Sequence, residues 1–167
     1  IAVAASMDRG SRGAGLFQSA AFLQLDYDQH SHDLASNALP DVLLVNGGHI
    51  SGGDPKHQDD LNQALIANIP DLTYLVPTTR EELVAMLNWA LVQPHGPIAI
   101  RIPQGAVQSD PLAADWTPTT LHVLHHGGQV ALMGVGSMLP LATQVAANLA
   151  QHHIAATLID PRSVNTL

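Results

Sequence analysis

The sequence predicts an α/β fold: a parallel sheet flanked by helices, followed by a truncated second α/β domain. Three observations predict it. Aliphatic runs alternate with stretches of helical period along the 167 residues. The runs Val42-Leu43-Leu44-Val45 and Ile98-Ala99-Ile100 lack polar alternation and so read as strands buried on both faces. The polar stretch 46–60, with five glycines and prolines, follows the carboxyl end of one such run, where open α/β sheets place ligands.

Taken in order, residues 2–8 are small and helix-friendly, and 9–15 form a Gly/Ser/Arg turn before a short strand at 16–19. Residues 20–37 read as one helix with Phe22, Leu23, Tyr27 and Leu34 on its apolar face, ended by Pro40. After the strand at 42–45 and its loop come a short helix at 61–67 and a strand at 73–76. Thr78 or Thr79 caps the next helix, which carries Glu81 and Glu82 in its first turn, where carboxylates suit the helix dipole, and runs to about Val92. A strand at 98–102 carries Arg101 at its end. Periodicity is then lost and Pro and Asp accumulate, which marks a linker. A strand at 129–134, a helix at 140–152 with Pro140 in its first turn, and a strand at 156–159 complete the pattern. The expected division is 1–108, a linker at 109–119, and 120–167 as the opening of a second domain.

Composition excludes several classes. Six Lys plus Arg stand against 14 acids, a formal charge of −8, which argues against nucleic acid and against an anionic membrane surface. With no cysteine there is neither a disulfide framework nor a thiolate metal site. No apolar run approaches the roughly 20 residues of a bilayer span. We expect a soluble, cytoplasmic protein.

Few residues invite chemistry. Arg101 ends a buried strand, where a guanidinium is costly unless it meets an anion. A substrate phosphate or carboxylate gripped by its fork and a structural Asp answer that need equally well. Asp54 and His57 share the Gly-rich loop, where a histidine near neutrality can move a proton or bond an oxyanion; a lone loop histidine is more often merely solvated. By pattern alone Phe22 is a helix core residue. The pairs His30/His32, His125/His126 and His152/His153 lack a third ligand at suitable spacing, so we expect no metal site in this chain. Gly134-Val135-Gly136-Ser137 precedes a helix but lacks the third glycine of a dinucleotide fingerprint, and reads as a tight strand-to-helix turn.

Four signals follow each other in fixed order: Phe22-Leu23-Gln24-Leu25-Asp26-Tyr27-Asp28-Gln29 running to His32-Asp33; Gly52-Gly53-Asp54-Pro55-Lys56-His57-Gln58; Pro77-Thr78-Thr79-Arg80-Glu81-Glu82-Leu83; and Gly96-Pro97-Ile98-Ala99-Ile100-Arg101-Ile102-Pro103-Gln104-Gly105. Together they resemble the pyrimidine-binding domain of transketolase-type thiamine diphosphate enzymes, and most closely the 1-deoxy-D-xylulose-5-phosphate synthases. The resemblance implies that Phe22 packs on the aminopyrimidine ring of the cofactor. Asp54, His57 and Gln58 match a Gly-Asp-Gly-Gln-Thr-His-Gln motif with one residue fewer, which implies that Asp54 and His57 face the substrate and that His57 is catalytic. Arg101 matches the first arginine of an Ile-Arg-Tyr-Pro-Arg-Gly signature that binds substrate phosphate; the second is Gln104 here. Tyr27, Gln29, His32 and Asp33 match positions read as structural or dimer-interface. The resemblance further implies a homodimer. It implies thiamine diphosphate and Mg2+, with diphosphate and metal held by an amino-terminal domain not in this chain. The small-molecule substrates implied are pyruvate and glyceraldehyde 3-phosphate, condensed with loss of carbon dioxide. The alternatives are another transketolase-type enzyme (a transketolase or the β-like half of a 2-oxo acid dehydrogenase) and a non-catalytic cofactor-binding relic. The Asp54/His57 loop favours the synthase.

The chain also departs from that pattern. The family's tyrosine three residues before the phenylalanine is Ser19, its arginine three residues after is Leu25, and its arginine following the next strand is Gly47. Loss of two arginines weakens phosphate binding by roughly 1.5–3 kcal/mol each if both bonds are charge-assisted. The departures imply a different donor–acceptor pair, compensation by other residues, or decayed activity. The family's catalytic glutamate would fall a few residues before Ile1. A start at Ile1 reads as a piece of something longer, expected not to catalyse alone.

Overall fold

The computed structural model describes residues 1–9, 14–47, 62–93, 96–103, 109–110, 116 and 121–165. Its first sheet holds β1 (Gly15–Ser19), β2 (Val42–Asn46), β3 (Thr73–Leu75) and β4 (Ile98–Arg101), all parallel, in the order β1-β2-β4-β3. Alternation along β2 sends Leu43 and Val45 to one core and Val42 and Leu44 to another, which is why the run is apolar throughout. The first core, with Leu23, Ile66, Ile69, Tyr74 and Ala99, is closed by α2 (Ala20–Leu23) and α3 (Asn62–Ala67). The second, with Met86, Ala90, Ile98 and Ile100, is closed by α4 (Arg80–Val92). An amino-terminal helix, α1 (Ala2–Arg9), lies against the segment that follows α2.

That segment departs from expectation. Residues 20–37 do not form one helix: α2 ends after one turn, 24–26 are turn, and Gln29–Ala35 wind as a π-helix. Leu25 N bonds back only to Phe22 O, and the Asp26 carboxylate accepts Gln18 Nε2 at 2.6 Å, so the chain is drawn sideways onto β1. The wider winding, with Ser36 N bonded to Ser31 O, turns His30, Leu34 and Ala35 inward. His30 and His32 therefore part: the first is buried and the second exposed.

Thr79 caps α4 in a capping box: its hydroxyl accepts Glu82 N at 3.2 Å, and Glu82 Oε2 accepts from Thr79 N and, at 2.9 Å, from Thr78 N. The stretch read as a linker is tied down where it is described. Ser109 Oγ and Asp110 N donate to the Glu81 carboxylate at 2.7 and 3.0 Å, and Trp116 meets Trp89 edge-on with ring centroids 5.5 Å apart.

The second unit contains β5 (His122–His125), β6 (Val130–Met133), α5 (Leu139–Gln151) and β7 (Ala156–Asp160), its sheet ordered β5-β7-β6. The expected β6-α5-β7 crossover is present and parallel. β5 was not foreseen, and it runs antiparallel to β7 with a bulge between Val123 and His125. The turn into α5 is tight: a Cβ on Gly134 would lie 2.7 Å from Leu139 Cα, and Gly136 sits at φ 54.

The chain then folds back on the first sheet. Ser163 bridges Leu75, Val164 N donates to Tyr74 O at 3.1 Å, and Asn165 bonds both Tyr74 N and Leu72 O. Beside this edge lies a buried polar cluster. Arg162 Nε donates to Glu82 Oε1 at 2.7 Å, Thr78 Oγ1 to Asp160 Oδ2 at 2.9 Å, and Arg162 Nη2 to His122 Nδ1 at 3.0 Å.

Candidate functional site

Parallel register gathers the strand carboxyl ends into one rim. Ser19 pairs with Asn46 and Val45 with Arg101, so Ser19, Asn46, Gly47 and Arg101 stand along it, with Phe22 one turn beyond β1. Gly47 leaves β2 at φ 94, a conformation that suits glycine rather than a side chain there. Asp54, His57, Gln58 and Gln104 lie outside the described residues. Among the sequence-predicted site residues, the structure thus brings Phe22 and Arg101 to the same rim, together with Ser19.

Phe22 corrects the core reading. It is 51% exposed, while its neighbour Leu23 is fully buried. In the one-turn α2, Ala20 and Leu23 join the core while Phe22 stays outside it. Leu25 is 77% exposed, and Phe17, on β1, is 67% exposed.

Arg101 is 4% exposed. Of the two partners the sequence allowed, an Asp is not found among the described residues. Tyr74, on the neighbouring strand, lies beside the guanidinium: burial pushes the Tyr74 hydroxyl above its ordinary value of 10.0, and the Arg101 charge acts against that rise. Arg101 Nε has no hydrogen-bond partner among the described residues. A buried cation beside a neutral phenol, with a donor unfilled, is suited to receiving an anion. Nothing in the local pattern marks Tyr74, because a tyrosine in a Thr-Tyr-Leu strand reads as core.

His30 is held near pKa 4, chiefly by burial, and neither ring nitrogen has a partner among the described residues. No three His, Asp or Glu side chains among the described residues converge as a metal requires. No helix among them is long and apolar enough to cross a membrane. An open cleft of about 810 Å³, lined by Asn68, Pro70, Asp71, Gly96 and Asn165, opens at the amino end of β3, opposite the rim, so volume alone does not mark the chemistry here.

Residues 1–109 match the family described as "Transketolase, pyrimidine binding domain", and residues 120–167 match "Transketolase, C-terminal domain". The chain belongs to the transketolase family. Within it, curated relatives named 1-deoxy-D-xylulose-5-phosphate synthase are similar across most of this transketolase-family chain. That of Symbiobacterium thermophilum is 33% identical, covering 100% of this chain and 26% of its own length. Those of Acidobacterium capsulatum and Crocosphaera subtropica are 35% and 36% identical, covering 86% and 87% of the chain and 23% and 24% of their own lengths. The chain thus spans about a quarter of the length of these relatives. A solved structure titled "Split gene transketolase, inactive beta4 tetramer" superposes with TM-score 0.83 at 21% identity, covering 97% of this chain and 53% of that one, and shares the fold.

Proposed function

We propose that this chain supplies the pyrimidine-binding half-site of a thiamine diphosphate-dependent transferase of the 1-deoxy-D-xylulose-5-phosphate synthase type. The substrates on this reading are pyruvate and glyceraldehyde 3-phosphate, and the products are 1-deoxyxylulose 5-phosphate and carbon dioxide. The observation that carries it is the similarity of the whole chain to relatives bearing that name. The rim is consistent with it, since it carries an exposed phenylalanine just beyond β1 and, at the end of β4 on the far side of β2, a buried cation with a donor unfilled among the described residues.

When bound, thiamine diphosphate supplies the nucleophilic carbon. The chain's own residues orient and bind: Phe22 offers a half-exposed face on which a pyrimidine can stack, and Arg101 grips a substrate anion. Asp54 and His57 are proposed to contact the substrate, with His57 moving the proton. Diphosphate and Mg2+ are proposed to be held by residues outside this chain. The exposed Phe17 and Leu25 suit burial against a second copy in a homodimer. The domain limits proposed are 1–108 and 120–167 around a linker, in a cytoplasmic protein.

The test uses the product of the complete gene with thiamine diphosphate and Mg2+, following pyruvate consumption with and without glyceraldehyde 3-phosphate. Consumption that depends on the aldehyde phosphate, with deoxyxylulose phosphate as product, is expected. A folded protein that turns over neither pyruvate nor a ketose phosphate would sink the enzyme reading and leave a binding relic.

A further inference from the structure

Tyr74 and Arg101 lie on adjacent parallel strands. Tyr74 is in register with Ala99, and Arg101 is two residues further along β4, so alternation puts all three on one face. Both side chains are buried on that face, and the guanidinium charge acts on the phenol, opposing the rise that burial causes in its pKa. The backbone of Tyr74 is fixed from the opposite edge, since its N donates to Asn165 Oδ1 at 2.9 Å and its O accepts Val164 N at 3.1 Å. A carboxylate in place of the phenol would neutralise the guanidinium and compete with any incoming anion. A neutral hydroxyl orients it and leaves its charge available.

We propose that Tyr74 is a positioning residue: its hydroxyl holds the Arg101 guanidinium so that Nε, which has no partner among the described residues, and the remaining N–H groups meet an anionic group of the substrate, a phosphate or a carboxylate. This rests on the reading of Arg101 as the anion grip.

The test substitutes Tyr74→Phe, which keeps the ring and removes the hydroxyl, in the complete protein, with Arg101→Gln as reference. Binding of inorganic phosphate, measured by calorimetry without turnover, is expected to weaken by about tenfold in Tyr74→Phe and further in Arg101→Gln. In turnover, KM for glyceraldehyde 3-phosphate is expected to rise by about tenfold with kcat and the pyruvate KM unchanged. A rise confined to the pyruvate KM assigns the gripped group as the carboxylate and equally supports positioning by Tyr74. If Arg101→Gln alters neither phosphate binding nor either KM, the anion-grip reading fails. If Arg101→Gln weakens binding and Tyr74→Phe does not, Arg101 keeps its role and positioning by Tyr74 is overturned. A fall in melting temperature with kcat and both KM values worsened together also overturns it, because it marks a packing role. Should Tyr74→Phe not fold, phosphate titration of the wild-type protein decides: the Tyr74 ζ-carbon NMR signal must shift as Arg101 is occupied, and a static signal refutes the coupling.

Discussion

Arg162 Nε donates to Glu82 Oε1 across 2.7 Å, joining residues 80 positions apart in the sequence. The same glutamate closes the capping box of α4 through its other oxygen. One buried carboxylate therefore starts a helix of the first unit and anchors the second.

Glu82→Gln leaves the Arg162 charge buried without its partner, and is expected to cost about 3–5 kcal/mol in urea denaturation. Glu82→Gln combined with Arg162→Met should cost clearly less than the sum of the single changes. Strict additivity would show that the pair is not coupled.

Asp160 is held near pKa 6 instead of its ordinary 3.8, chiefly by burial, with the Thr78 hydrogen bond acting against it and the nearby Glu82 charge adding to the rise. A raised pKa favours the protonated form in the fold. Its contribution is therefore full below 3.8 and lost as pH climbs through about 6. His30, lowered from 6.5 to about 4, acts in the opposite sense, its contribution being lost as pH falls through the same window. The two oppose each other, so the wild-type profile is expected to be shallow between pH 4 and 6 from these groups. Asp160→Asn removes one of them. Its stability relative to wild type should improve as pH rises through that window, and two parallel profiles would contradict the assignment.

Gly136 faces the first unit at φ 54, and a Cβ there would lie 2.6 Å from Val76 Cγ1. Gly136→Ala adds backbone strain to a contact that must give way, and should destabilise by about 1–3 kcal/mol. A melting temperature equal to wild type would mean that the two units part easily at this point.

Trp116 is buried against Trp89 with the planes at 77°. Trp116→Ala is expected to cost about 3–5 kcal/mol, and Trp116→Phe, which keeps an edge for Trp89, substantially less. Equal losses in the two denaturation curves would remove the aromatic contact as the cause.

Much of the first sheet was legible in the sequence because apolar runs mark β2 and β4 and Thr79 caps α4; in the second unit Pro140 likewise stands in the first turn of α5. The 20–37 segment misled because Phe22, Leu23, Tyr27 and Leu34 fit helical spacing, whereas the Gln18–Asp26 bond and the π-winding depend on contacts that no local pattern encodes. β5 escaped notice because its four residues include two histidines and its partner lies more than 30 residues downstream. At the rim, Arg101 stood out as a charge ending an apolar strand. Tyr74 did not, since its hydroxyl acquires meaning only when two strands adjacent in space but separated in sequence bring it to the guanidinium.

Residues 163–165 run along the outer side of β3, a strand of three residues. Strand edges are where chains add to one another, so this border of the sheet is sealed by the chain itself. Growth of the sheet by another strand is thereby confined, among the described residues, to β1, the border that also exposes Phe17. A change that peels the 163–165 segment away would open a second growing edge, and its first symptom would be aggregation rather than loss of binding.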